Sequence, residues 1–188
     1  HPDRAKLASR LSAMGRAFDV PFAGELFRFI NPKYSKASDI VSGVGSLLAS
    51  GRWNVRGSIR VSYTSQTPET ALAEALAHVR YYNLPTSRAL PRVLVALRLE
   101  ASRVLDLRNG AARRALILSD HTIRTVDWRA ENRNGAEAVT QAWGFAFAGA
   151  GFEAVIVPSA AEPRGVNVLV FPENLLAGSL FEVGAEVA

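Results

Sequence analysis

Ile59-Arg60-Val61-Ser62-Tyr63-Thr64-Ser65, followed almost at once by Thr67-Pro68-Glu69, is the stretch that decides the fold. Apolar and polar residues alternate through its first part, which is the period of a half-buried strand. Its second part opens a helix: a threonine cap, a proline in the first turn, and an acid near the positive end of the helix dipole. That helix is predicted to run to about Tyr82 and to stop before Pro85. Just upstream, Gly51-Arg52-Trp53-Asn54 reads as a loop. Loop, strand and helix together gather the Arg52 guanidinium, the Tyr63 phenol and the Glu74 carboxylate. A ligand with a pyrophosphate, an aromatic ring and a ribose needs those groups, so a nucleotide-consuming site is the first hypothesis.

Outward from this stretch, residues 4 to 17 read as an amphipathic helix with Leu7, Leu11 and Met14 at helical spacing. Glu25 to Ile30 alternates as a short strand, ended by Asn31-Pro32. Asp39 to Ser50 is rich in Gly and Ser and reads as a mobile loop with one helical turn. Arg92 to Glu100 is the clearest strand, with Val104 to Leu107 as a second one after it. Ala111 to Leu118 and Ala136 to Ala148 read as helices. Glu153 to Val157 and Val166 to Phe171 read as short buried strands, each closed by a proline. The elements do not alternate cleanly enough for a doubly wound parallel sheet. The expected fold class is α+β: a mixed, twisted β-sheet with helices packed on it.

The chain has 188 residues, 48% hydrophobic and 21% charged, ordinary globular values with enough apolar material for one buried core. No Pro/Gly/Ser tract, charge block, repeat or low-complexity segment marks a second domain. The expected division is an N-terminal helical extension, 1–20, and a single main domain, 21–188. No apolar run approaches the roughly 20 residues of a bilayer-spanning helix. His1-Pro2-Asp3-Arg4 lacks the apolar core of a secretory signal. A soluble, cytoplasmic protein is expected. Without cysteine the chain has no disulfide, zinc-thiolate site or cysteine nucleophile. Its histidines, His1, His78 and His121, lack metal-ligand spacing, so no metal site is expected.

The net charge of +5 comes almost wholly from arginine, since Lys6, Lys33 and Lys36 are the only lysines. Arginine grips phosphate and carboxylate bidentately, which suits an anionic substrate or an acidic partner. The excess of arginine and alanine also fits a GC-rich coding sequence.

Several residues stand out as candidates. Glu74 has Ala71, Ala77 and His78 as face neighbours, while Leu72, Leu76 and Val79 form a separate apolar stripe. Small residues around a carboxylate let a backbone or a flat ligand approach it; the plainer alternative is a solvated glutamate. Gly51 and Gly57 flank Arg52, whose guanidinium offers a fork for phosphate oxygens. Tyr63 and Ser65 share one side of their strand, where a ring can stack on nicotinamide or adenine and hydroxyls can fix its polar edge. Core packing is the plainer fate of that tyrosine. Arg28 lies between Phe27 and Phe29, on the opposite face by alternation. Ser159 follows a strand end, where binding groups gather in sheets flanked by helices.

In this order and spacing, Phe27-Arg28-Phe29, Gly51-Arg52-Trp53-Asn54, Tyr63-Thr64-Ser65, Thr70-Ala71-Leu72-Ala73-Glu74, and Pro158-Ser159 with Asn167 to Pro172 resemble the RES-domain toxins. The resemblance spans about residues 25 to 175. It implies a fold similar to the ADP-ribosyltransferase domain of bacterial toxins and an enzyme that consumes NAD+. It also implies a type II toxin–antitoxin pair causing growth arrest, the partner being a Xre-type helix-turn-helix protein that occupies the NAD+ cleft. The acceptor differs between members: water or phosphate in those that degrade NAD+, or a protein such as phosphoribosyl pyrophosphate synthetase. Carried over by motif, Arg28, Arg52, Tyr63, Glu74 and Ser159 form the site. The segments to about residue 20 and much of 107 to 135 lie outside the match, which leaves acceptor and partner contacts open.

The chemistry fits the residues. Cleaving nicotinamide from ribose develops positive charge on the sugar, which a carboxylate stabilises. Glu74 takes that role, Arg28 and Arg52 neutralise the pyrophosphate, Tyr63 stacks on nicotinamide, and Ser65 and Ser159 orient the ligand. Nicotinamide is already a cationic leaving group, so no metal is needed. The competing class is a non-enzymatic module holding nucleic acid on a basic surface. Its arginines are scattered, however, and no helix-turn-helix or RNA-binding motif appears.

Overall fold

The computed structural model describes residues 1–184, so the last four residues of the expected main domain lie outside the described residues. Helix α1 (Arg4–Met14) leads into a long strand β1 (Asp19–Ile30), and two short helices, α2 (Ala37–Val41) and α3 (Gly45–Leu48), follow. Strand β2 (Ser62–Ser65), helix α4 (Pro68–Tyr81) and strand β3 (Val93–Asp106) form the centre. Helices α5 (Gly110–Leu116), α6 (Asp120–Thr125), α7 (Trp128–Arg133) and α8 (Val139–Gly149) come before strands β4 (Ala154–Pro158), β5 (Val166–Val170) and β6 (Leu180–Val183). This is the mixed α+β arrangement expected.

The strands lie in the order β1-β2-β5-β4-β3-β6, and β1 also pairs along β3, so the sheet curls back on itself. β3 and β4 run parallel, and every other pairing is antiparallel. Closure is weakest between β1 and β2, which pair only at Phe27 and Ser65. Beyond that pair the two strands part.

Alternation along the strands separates two cores. Leu105, Val155, Val157 and Leu169 face one cluster, with Trp143, Phe147 and the helices α1, α5 and α8. Val104, Ala154, Ile156, Val168 and Val170 face the other, with Leu26, Leu97 and Leu99. Leu7 and Leu11 of α1 are buried in the first cluster, so the N-terminal segment contributes to the common core. Burying two leucines stabilises its docking by about 1.5–3 kcal/mol each.

The predicted α4 is present, and its cap is as expected: Thr67 Oγ1 accepts the Thr70 N–H at 3.2 Å, with Pro68 in the first turn. Its buried face differs from the expected stripe. Thr70, Ala71, Ala73 and Val79 are buried, whereas Leu72 is 46% exposed and Leu76 half-buried. Small residues let α4 lie close to the sheet, and that closeness brings Glu74 to the strand ends.

Other differences have local causes. The runs 92–100 and 104–107 are one strand, because Ala101-Ser102-Arg103 interrupts the apolar pattern at a bulge, after which pairing with β1 resumes at Val104. β1 begins at Asp19, before the alternation is visible. β2 is shorter than its alternating sequence, covering only Ser62–Ser65. The Gly/Ser-rich segment forms α2 and α3 rather than one turn.

Candidate active site

Glu74 projects from α4 towards the ends of β2, β4 and β5. Its Oε1 accepts from Ser159 Oγ at 2.5 Å and from Asn167 Nδ2 at 2.6 Å. Among the described residues no group hydrogen-bonds Oε2. Sheet register delivers these partners: Asn167 on β5 lies between Ser65 on β2 and Val157 on β4. Ser65 Oγ donates to Asn167 Oδ1 at 2.8 Å, which turns the amide so that its Nδ2 faces Glu74. Ser159 is wholly buried just past β4, and its Oγ accepts the N–H groups of Ala161 and Glu162 at 3.1 Å each. Ser65 and Ser159, expected to orient the ligand, are placed at the same end of the sheet as Glu74. Both hydroxyls are buried and act on Asn167 and Glu74.

Tyr63 is held by the Gly51–Asn54 loop. Its hydroxyl donates to Asn54 Oδ1 at 2.8 Å and accepts the Trp53 N–H at 3.0 Å. Asn54 is buried and donates through Nδ2 to Ser46 O and Ala49 O, while Gln141 Nε2 donates to Gly51 O and Asn54 O. Gly51 is required here, because a Cβ would lie 2.6 Å from the Tyr63 hydroxyl. Burial pushes the Tyr63 phenol well above its ordinary value, against smaller opposing effects of the Trp53 N–H and Arg52. The hydroxyl is thus a neutral structural tie, and the ring face is what remains for a ligand.

Arg28 Nη1 donates to Ile40 O at 2.8 Å and Ser62 Oγ at 3.0 Å, bridging the gap between β1 and β2. Burial, and then Arg92, lower its pKa from the ordinary arginine value. Arg52 Nη1 donates to Ile123 O at 3.1 Å and Val126 O at 2.9 Å, at the end of α6. Burial lowers its pKa too, opposed by Glu74. Both guanidinium groups keep further N–H donors.

These residues line two adjoining chambers. The larger, about 490 Å³, includes Arg52, Arg80, Tyr81, Trp128 and Arg129. The smaller, about 250 Å³, opens where β1 and β2 part and includes Phe27, Arg28, Phe29 and Ser65. Tyr63, Glu74 and Asn167 line both. The structure thus brings Arg28, Arg52, Tyr63 and Glu74 to one cleft, but it sets the two arginines in different chambers on either side of Glu74.

The RES domain model matches residues 25–184, nearly the span of the ordered motifs. The chain belongs to the RES domain family. No curated protein sequence matches it. A chain from the crystal structure of the M. tuberculosis MbcT–MbcA toxin–antitoxin complex is similar in fold, with a TM-score of 0.70 and 21% identity. The likeness covers 95% of this chain and 88% of that one.

Sequence reasoning placed Asn167 in the RES motif order but missed its bond to Glu74, a contact between β5 and α4 that only the fold makes. It also missed Tyr81, Trp128 and Arg129. α7 has six residues, too few for hydrophobic periodicity, and its one local sign is the Asp127 cap accepting the Ala130 N–H at 2.9 Å.

Proposed function

We propose that this RES-domain protein is the toxin of a toxin–antitoxin pair and that it consumes NAD+ by breaking the nicotinamide–ribose bond. The observation that carries this is Glu74 at the junction of the two chambers, with Oε1 tied to Ser159 and Asn167 and Oε2 left for a ligand. When the glycosidic C–N bond breaks, its electron pair goes to the nicotinamide nitrogen, which becomes neutral. Positive charge passes to the ribose, and a fixed carboxylate beside it lowers the barrier without reorganising. The acceptor then bonds to the anomeric carbon and gives up its proton. Water, phosphate or a protein side chain, as on phosphoribosyl pyrophosphate synthetase, satisfies that step.

Tyr63 offers a ring face to nicotinamide, and Arg28 and Arg52 offer N–H donors to the dinucleotide's oxygens. We assign the partner as a Xre-type antitoxin that inserts into this cleft. A fold neighbour solved as a toxin–antitoxin complex supports a partner, and an arginine-lined cleft suits a carboxylate-bearing segment. An NAD+ substrate puts the protein's work in the cytoplasm.

Labelled NAD+ incubated with the protein, with and without cell lysate, tests the activity. Nicotinamide released without lysate means water or phosphate is the acceptor, and release that needs lysate, with label on a protein band, means transfer to a protein. Intact NAD+ under both conditions would overturn the assignment.

A further inference from the structure

Arg129 lines the larger chamber with an unusual set of contacts. Its guanidinium lies 4.3 Å from the Trp128 ring centroid and 4.9 Å from that of Tyr81. Tyr81 is itself fixed: its hydroxyl donates to Asp127 Oδ2 at 2.7 Å and accepts from Arg133 Nη2 at 3.0 Å. Aromatic contacts hold the guanidinium, yet they use none of its N–H donors. Nε is buried without a hydrogen-bond partner, and among the described residues the Arg129 guanidinium forms no hydrogen bond or ion pair. Buried donors are nearly always paired, so an unpaired one at a cavity wall marks the place of an absent acceptor.

The surrounding charge says what acceptor fits. Three arginines, Arg52, Arg80 and Arg129, face the larger chamber against one carboxylate, Glu74. Asp127 is the nearby opposing charge, but the Ala130 N–H and the Tyr81 hydroxyl already occupy it and hold its carboxyl below the usual range. Arg52 spends one nitrogen on the carbonyls at the end of α6, whereas Arg129 and Arg80 have all their donors free among the described residues. A planar guanidinium held by its faces, with its N–H donors unpaired, is a phosphate fork. A chamber of about 490 Å³ is also far larger than one phosphate needs.

We propose that Arg129, held by Trp128 and Tyr81 and joined by Arg80, is the phosphate-binding subsite of the larger chamber and takes the diphosphate of the ADP half of the dinucleotide. This rests on the NAD+ assignment above and reassigns the phosphate contact from Arg28, which lies in the other chamber. The nicotinamide–ribose bond then lies at Glu74, and the adenylate half extends towards Trp128 and Tyr81.

ADP is the probe, because it carries the diphosphate and has no bond to cleave. Calorimetric titration of ADP into the wild type should show binding, and Arg129→Gln should weaken it about tenfold or more. Arg129→Lys, which keeps the charge and loses the fork, should weaken it about threefold or more and serves if the glutamine variant does not fold. ADP affinity unchanged in these variants, or no ADP binding by the wild type, would overturn the subsite. Wild-type cleavage of NAD+ is measured in parallel. ADP binding that depends on Arg129 alongside intact NAD+ keeps the subsite and removes the NAD+-consuming activity. NAD+ cleavage with ADP affinity insensitive to Arg129 does the reverse.

Discussion

Ser159 Oγ donates to Glu74 Oε1 at 2.5 Å while itself accepting the N–H groups of Ala161 and Glu162. With its acceptor sites filled, the hydroxyl directs its proton at the carboxylate. Asn167 adds a second donor to the same oxygen at 2.6 Å. The carboxylate plane is therefore set from the β4 and β5 side of the cleft before any ligand arrives. Such preorganisation is what makes one charge effective at a developing cation.

Glu74→Gln tests that charge with little change of shape. Glutamine keeps an oxygen for Ser159 and Asn167 and puts a neutral amide where Oε2 stood. NAD+ binding should survive, and turnover should fall at least about 100-fold, in line with the roughly 2.7–4 kcal/mol lost when a preorganised group is removed. Near wild-type turnover would take Glu74 out of the mechanism.

Arg52→Lys is expected not to be conservative. Arg52 bridges Ile123 O and Val126 O with one nitrogen and still offers others to the larger chamber. An ammonium group cannot hold both carbonyls and present a planar fork as well. NAD+ affinity should drop about tenfold or more. Titration in the Glu74→Gln background, where ligand is not consumed, measures it. Equal affinities would make Arg52 a brace for α6 only.

Gly144→Ala tests how the site loop is seated. A Cβ on Gly144 of α8 would lie 1.8 Å from the Trp53 carbonyl oxygen and 2.8 Å from its carbon. These are backbone atoms, so no rotamer change relieves the clash, and α8 must separate from the loop that carries Arg52. Overpacking of this kind costs about 1–3 kcal/mol or more. For a chain of this size each kcal/mol lowers Tm by about 2–4 °C. An unchanged Tm on thermal unfolding would show that the contact is looser than it stands here.

The parts of this molecule legible in sequence were those with local causes. Thr67-Pro68-Glu69 marks a helix start wherever it occurs, and α4 begins there. Arg52, Tyr63 and Glu74 fall close together along one loop–strand–helix unit, so their convergence could be read without the rest of the fold. Alternation between Phe27 and Phe29 singled out Arg28, but only the RES motif order linked it to the site, because a β1–β2 contact joins segments far apart in sequence. The roles of Ser65, Ser159 and Asn167 were hidden for the same reason: each depends on the register of β2, β4 and β5. Leu72 misled because helical spacing identifies an apolar stripe but not whether a neighbour covers it. α4 docks instead through Thr70, Ala71 and Ala73.

Acid should unfold the protein partly through Glu153. This wholly buried carboxylate accepts Ser102 N–H at 2.9 Å, Arg103 N–H at 2.8 Å and Leu176 N–H at 3.1 Å. Burial pushes its pKa up, but hydrogen bonds from Ser179, Leu176, Arg103 and Ser102 outweigh that and hold it below the usual carboxylate range. The unfolded chain binds the proton more readily, with a pKa near 4.3. The stabilisation is therefore complete above about pH 5 and is lost as pH falls through the depressed folded value. Denaturant unfolding from pH 7 to 3 should show the loss in the wild type. Glu153→Gln should be less stable at neutral pH and flatter on the acid side. Parallel acid limbs would assign the loss to other groups.

The antitoxin assignment makes a thermodynamic demand. The wild-type protein expressed alone should arrest growth, and its cognate antitoxin should rescue the cells. If the antitoxin segment fills the chambers that meet at Glu74, NAD+ and antitoxin cannot bind together, and each must weaken the other by the same factor. The arginines Arg28, Arg52 and Arg129 give an acidic segment its attraction, so the competition should also soften with added salt. Glu74→Gln is the protein to use, since it holds NAD+ without consuming it. Saturating NAD+ should then raise the apparent Kd for antitoxin in proportion to ligand concentration, with no plateau. A plateau would mean a ternary complex and inhibition from a neighbouring surface. Antitoxin affinity indifferent to NAD+ would place the antitoxin outside the cleft altogether.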